Sequence, residues 1–226
     1  MTSAHTDTSD IAVTASQPLP PPGDREILLI WDAPNVDMGL GAILGGRPSS
    51  VNRPRFDAVG LWLLDYCDQR AAELGHTPVP EATVFTNMLR GSEDALRSWV
   101  EALRNVGFSV FAKPKLHDDS DVDPDMVAHI RRRFEQNVLD GVVVASADGQ
   151  NFKEILDELA AAGIPVTVIG FREHASWATA ADNLQFVDLE DIPGVFLKPL
   201  PRIQLEMLPD QGGWMPPLRP LSCLRK

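Results

Sequence analysis

Short, wholly apolar runs alternate along this chain with stretches whose apolar residues recur every three to four positions. Ile27-Leu28-Leu29-Ile30-Trp31 and Val142-Val143-Val144-Ala145 carry no polar residue at all. A strand with only one buried face alternates apolar and polar residues, so unbroken runs of this kind mark strands covered on both sides, as in a parallel sheet. Further strands are expected at Ala82–Asn87, about 108–112, Pro165–Gly170 and Gln185–Val187. Between them, Phe56, Val59, Leu63, Tyr66, Cys67 and Leu74 trace one face of a helix over about 56–74, closed by Gly75. Leu96, Val100, Leu103 and Val106 mark a second helix, ended by Gly107. A third runs from Pro124 to about Gln136, a fourth bears Phe152, Ile155, Leu156 and Leu159, and a short one spans Trp177–Asn183. Strand–helix alternation of this order predicts a three-layer α/β/α fold with a central, mostly parallel sheet.

Residues 1–24 are rich in Thr, Ser, Asp and Pro, have little to bury, and read as a disordered tail. The folded domain is expected over 25–192 and a Pro-rich extension over 193–226, where Phe196, Leu200, Leu205, Leu208 and Trp214 are apolar enough to pack on a surface. The segment Met38–Gly46 holds four glycines and reads as a loop running on to Pro54. It lacks the Lys-Ser/Thr ending of a phosphate-binding loop. No run approaches the ~20 apolar residues of a membrane span. There is no Lys or Arg before Arg25 to open a signal peptide. Cys67 and Cys223 offer neither metal-ligand spacing nor a disulfide framework, so a cytoplasmic protein is expected.

Three acidic clusters each follow a strand: Asp32 after the first, Asp121, Asp123 and Asp125 after the third, and Asp148 after Val142–Ala145. Ligands of open α/β sheets bind outside the carboxyl ends of the strands. Asp in such turns often caps a helix, and Asp123-Pro124 has the form of an N-cap with proline behind it. Three carboxylates converging at one sheet edge would instead call for a hard divalent cation between them. The five histidines show no zinc-like pairing, and no G-x-S-x-G nucleophile elbow is present.

Asp32-Ala33-Pro34-Asn35 resembles the D-x-x-N motif that opens NYN domains, the PIN-like nucleases that include the LabA-like proteins. Val122-Asp123 ahead of a helix resembles the middle V-D element of that family. Ser146 to Phe152 resembles its S-G-D-x-D-F signature. The similarity covers roughly Glu26 to Val187. It implies a PIN-like, Rossmann-like fold and a ribonuclease using Mg²⁺ or Mn²⁺ held by Asp32, Asp123 and Asp148. Asn35 would contact the site, and Ser146 and Asn151 would orient the ligands from behind. Asp121 and Asp125 compete with Asp123 for the middle role, Asp37 reads as a loop carboxylate, and Ser146 serves equally as a helix-capping hydroxyl. Two departures lower the negative charge relative to the family pattern: Asn151 stands where a second Asp is usual, and His129 where many LabA-like members carry a carboxylate.

Charge bears on the partner. The net charge is −12; the first 24 residues carry three Asp and no base, whereas residues 197–226 carry five bases against two acids. The acidic excess therefore lies in the domain itself. A nonspecific nucleic-acid binder normally shows a basic surface, so RNA binding is expected to be weak and metal-assisted. Lys113, Lys115, Arg131 and Arg53 are the candidate basic rim, although the Arg131-Arg132-Arg133 triplet also suits a solvated helix face. Nothing points to DNA or to a membrane, and a homo-oligomer is compatible with the sequence. The reduced carboxylate set also admits a non-catalytic module that binds RNA or protein without cleaving.

Overall fold

A computed structural model of the chain describes residues 24–117, 120–146, 149, 151–201, 208, 210–212 and 214, with the side chain of Ala95 left out. Six strands form one sheet in which every pairing is parallel. They are β1 (Glu26–Asp32), β2 (Val79–Met88), β3 (Ser109–Pro114), β4 (Leu139–Ala145), β5 (Val166–Gly170) and β6 (Gln185–Asp188), in the spatial order β3-β2-β1-β4-β5-β6. The chain builds outward from β1 in one direction, then returns to β1's other side and builds the opposite way. The crevice between the carboxyl ends of β1 and β4 is therefore the topological switch point.

The helices are α1 (Ala33–Leu44), α2 (Phe56–Leu74), α3 (Glu93–Val106), α4 (Asp123–Glu135), α5 (Lys153–Ala161) and the short α6 (Ser176–Thr179). All seven residues of β1 are buried, as are all seven of β4. Successive side chains of a strand point to opposite faces, and β1 divides accordingly. Ile27, Leu29 and Trp31 join Leu40, Val59, Leu63 and Leu103 in the layer of α1, α2 and α3. Leu28 and Ile30 join Met126, Ile130, Ile155 and Leu159 in the layer of α4 and α5. The three-layer expectation thus holds, with a sheet that is parallel throughout.

One expected loop is a helix. Residues 33–44 form α1 despite Gly39 and Gly41, because the ends are well made and one side is apolar. Asp32 caps the amino end, and Gly45 closes the other in the left-handed conformation, φ 71°. Val36, Gly39 and Leu40 are buried against the sheet, so tertiary packing offsets the ~1 kcal/mol that each helical glycine costs. The expected helix Trp177–Asn183 is shorter, ending at Thr179 after a 3-10 turn over Arg172–His174. Only Ala178 of α6 is buried, and the chain must turn at once to enter β6.

Part of the Pro-rich extension packs on the domain. Val195 and Leu200 are part of the α1/α2/α3 core, and the Arg55 amide donates to the Val195 carbonyl at 2.8 Å. Leu205 lies outside the described residues, as does the Pro-rich tail apart from Asp24, and Trp214 is exposed. Among the described residues no helix is long and apolar enough to cross a membrane.

At the amino end of the sheet the Glu26 carboxylate lies 3.3 Å from Arg133 Nε, and both side chains are buried. Burial pushes the Glu26 carboxyl up to about 7; Arg133 pulls it back and Glu81 adds to the rise. Its charged form therefore costs stability, nothing below pH 4.5 and the full amount above about pH 7. We expect the free energy of unfolding, measured by urea titration, to fall as pH rises across that window. In Glu26→Gln the fall should be smaller by roughly 1–3 kcal/mol.

Candidate functional site at the switch point

β1 ends at Asp32, whose neighbour in register on β2 is Phe85, and β1 runs alongside β4 up to the pair Trp31 and Ala145. The next residue on each strand is therefore Asp32 and Ser146, side by side in the crevice. Asp32 is only 2 % exposed and Ser146 is fully buried. The Asn35 amide donates to Asp32 Oδ1 at 3.1 Å, and the Ser146 hydroxyl donates to Oδ2 at 3.0 Å. Both readings of Asp32 thus hold together: it caps α1 and it faces the crevice. Each oxygen accepts one hydrogen bond and keeps a second acceptor position.

The carboxyl of Asp32 is pushed up to about 7, by burial first and then by the charges of Asp123 and Asp121, while the bonds from Asn35 and Ser146 oppose the rise. Two carboxylates from the middle cluster therefore act on this group. Asp123 is the first residue of α4, and its carboxylate accepts a hydrogen bond from the Asn151 side-chain amide. Asp123 is not the expected N-cap: that position is Val122, which makes no side-chain cap bond, and Asp121 Oδ1 instead accepts from the amides of Val122, at 2.6 Å, and Asp123, at 3.4 Å. That leaves the Asp123 side chain to turn toward Asn151. Asp125 turns away and pairs with Lys113 Nζ at 2.7 Å.

Asp148 lies outside the described residues, as do Ala147 and Gln150. Among the described residues no three His, Cys, Asp or Glu side chains are grouped as a metal site. Asp32 and Asp123 do suit a hard cation: they offer carboxylate oxygens, and Asp32 is destabilised by burial and like charge, which a cation would relieve. His129 is buried on α4, edge-on to Phe85 with ring centres 5.9 Å apart. Burial, with Arg133 and Arg132, holds its imidazole down at about 4, so this position is neutral at pH 7.

Three of the four rim cations are already paired. Arg53 makes a bidentate contact with Asp37, Lys113 holds Asp125 and the Asp121 carbonyl, and Arg131 Nη1 lies 2.9 Å from Glu158. Lys115 has no ion-pair partner among the described residues, and lines a cavity beside the crevice together with Arg47. Arg47, between α1 and α2, is a lining cation that no sequence pattern singles out; the loop it sits in is shorter than expected, and the apolar spacing Val36 to Leu40 is the signal for the helix before it.

Gly149 fixes the loop between β4 and α5. A Cβ placed there would lie 2.0 Å from the Trp177 ring. Gly149→Ala must displace that ring, and we expect a loss of about 1–3 kcal/mol in urea unfolding. Replacing Asp32 by Asn removes a buried, repelled charge but keeps an acceptor. In chelator at pH 8, Asp32→Asn should melt about 2–4 °C above wild type. Mn²⁺ should raise the melting temperature of wild type by binding the folded state, and leave that of Asp32→Asn unchanged. An equal metal-induced rise in both would show that Asp32 holds no cation.

Comparison with known proteins agrees with the layout. The family model described as NYN domain matches residues 26–190. The solved structure of a protein of unknown function from Vibrio parahaemolyticus RIMD 2210633 superposes with a TM-score of 0.54 at 19 % identity, covering 76 % of this chain and 98 % of that one. At that identity the likeness concerns the fold. A search of curated proteins yields no match. The family match takes in β1 through β6, with both Asp32 and Asp123, and the chain accordingly belongs to the NYN family of the PIN-like, nuclease-type superfamily.

Proposed function

We propose that the protein is a divalent-metal-dependent ribonuclease whose reaction centre is the β1–β4 crevice. The observation that carries this reading is Asp32: a carboxylate kept almost wholly buried at the switch point, with the Asp123 and Asp121 charges acting on it. Asp32 also caps α1, but a neutral cap would do that without the cost of a buried, repelled charge, and such costly ionisable groups cluster at functional sites. Asp32 and Asp123 would hold Mg²⁺ or Mn²⁺, with Asp148 expected as the third ligand. When bound, the ion activates water and offsets charge on the phosphate oxygens.

The remaining work falls to the chain itself. Ser146 and the Asn35 amide lock the Asp32 carboxylate in one orientation, and the Asn151 amide does the same for Asp123. Pre-set oxygens need no rearrangement as the reaction proceeds. In the hydrolysis, a water oxygen forms the new bond to phosphorus and the bridging P–O bond breaks. The departing oxygen takes up a proton. The substrate is RNA, held weakly because the surrounding domain is acidic, and the chain works in the cytoplasm.

The pairing of Arg53, Lys113 and Arg131 with carboxylates favours a second reading, a binding module that retains the fold without cleavage. Incubating the purified protein with a labelled single-stranded RNA separates the two. Cleavage is expected with Mn²⁺ and none with chelator; Asp32→Asn and Asp123→Asn should both be inactive. Asn151→Ala should lose roughly 10–100-fold, because it orients a ligand without being one. Binding without cleavage at any Mn²⁺ concentration would favour the second reading.

A further inference from the structure

A cavity of about 670 Å³ opens beside the crevice, on the β2 side of β1. Its wall includes Ala33 and Pro34, the two residues between Asp32 and Asn35, so it adjoins the proposed reaction centre along the backbone. Trp99 of α3 and Leu89 line it, and Leu89 is 59 % exposed. Asn87, at the carboxyl end of β2, also lines it, and its Oδ1, enclosed in this conformation, has no hydrogen-bond partner among the described residues. An acceptor in that state is costly unless a donor arrives. Of the cations in the lining, Arg53 is tied to Asp37, whereas Lys115 and Arg47 have no ion-pair partner among the described residues.

These features are complementary to one ligand chemistry. The aromatic and aliphatic wall suits the flat face of a base, the Asn87 acceptor suits an N–H on its edge, and the two cations suit a phosphate. We propose that this cavity seats one nucleotide of a single-stranded RNA, with the base against Trp99 and Leu89, an edge N–H on Asn87 Oδ1 once that side chain turns toward the cavity, and the phosphate on Lys115 and Arg47. The choice of RNA rests on the nuclease reading; the seating of a base and phosphate rests on the cavity. The volume falls within the roughly 300–1,000 Å³ usual for small-ligand pockets. A base must leave its stack to enter it, so duplex RNA is excluded from the subsite. The cavity thus makes the enzyme selective for unpaired segments and supplies the affinity that the acidic domain withholds. Base–aromatic stacking is typically worth a factor of ten or more in binding.

The test uses the full chain and a fluorescein-labelled RNA hexamer, followed by anisotropy in chelator at low salt so that no turnover occurs. A second hexamer carries abasic sites throughout. Wild type should bind the base-bearing hexamer at least about tenfold more tightly than the abasic one. Asn87→Leu should shrink that preference to threefold or less with an unchanged circular dichroism spectrum. Lys115→Gln should weaken both hexamers at least fivefold, whereas Lys153→Gln, on α5 in the opposite layer, should change neither by twofold. Equal binding of the two hexamers by wild type would overturn the proposal, as would a Lys115→Gln affinity matching wild type. The nuclease reading fails separately: base-dependent binding without Mn²⁺-dependent cleavage would remove it and leave the cavity standing. Cleavage at equal kcat/KM of RNA with and without bases beside the scissile bond would do the reverse.

Discussion

The Asp32 carboxylate joins the parts of this molecule that matter for chemistry. One oxygen takes the Asn35 amide and so starts α1; the other takes the Ser146 hydroxyl and so fixes the end of β4. In a sheet ordered β3-β2-β1-β4-β5-β6, those are the two strand ends that flank the switch point. A neutral cap such as Ser would satisfy the same amide. The chain instead keeps a group that burial and two neighbouring carboxylates push up to about 7. That excess cost makes sense if a cation offsets it, because one positive ion would relieve the desolvated charge and the mutual repulsion together.

The charge distribution around this centre explains how an acidic NYN domain could still handle a polyanion. Most cations near the acidic clusters are spent within the fold: Lys113 steadies the start of α4 through Asp125, and Arg53 anchors the loop after α1 through Asp37. Only Lys115 and Arg47 face the cavity without a carboxylate of their own among the described residues. On the proposed reading, attraction for RNA would be confined to the immediate neighbourhood of the crevice. Such an arrangement would disfavour indiscriminate coating of long RNA and leave recognition to the proposed nucleotide subsite and cation site.

Much of the fold was legible because it rests on short-range patterns. The continuous apolar runs of β1 and β4 require two covered faces, and α2 from Phe56 to Leu74 is written plainly in its spacing and its closing glycine. α1 was not legible by composition: its glycines argue for a loop, and it is a helix only because Val36, Gly39 and Leu40 find a sheet to pack on. The site was legible as a set of strand-end carboxylates, but their division of labour was not. Whether Asp121, Asp123 or Asp125 turned inward depended on side-chain bonds no pattern encodes, namely the Asp121 contact to the Val122 and Asp123 amides and the Lys113–Asp125 pair. The free cavity cations and the unpartnered Asn87 acceptor were equally invisible, since both depend on which neighbours the tertiary fold supplies.

The central claim is that Asp32 and Asp123 share a divalent cation. Diffraction from crystals soaked in Mn²⁺, collected near the manganese absorption edge, tests it most directly. The account predicts an anomalous peak in the β1–β4 crevice at about 2.0–2.6 Å from oxygens of both carboxylates. A fully soaked crystal with no peak there, or with manganese bound only at surface carboxylates, would contradict it.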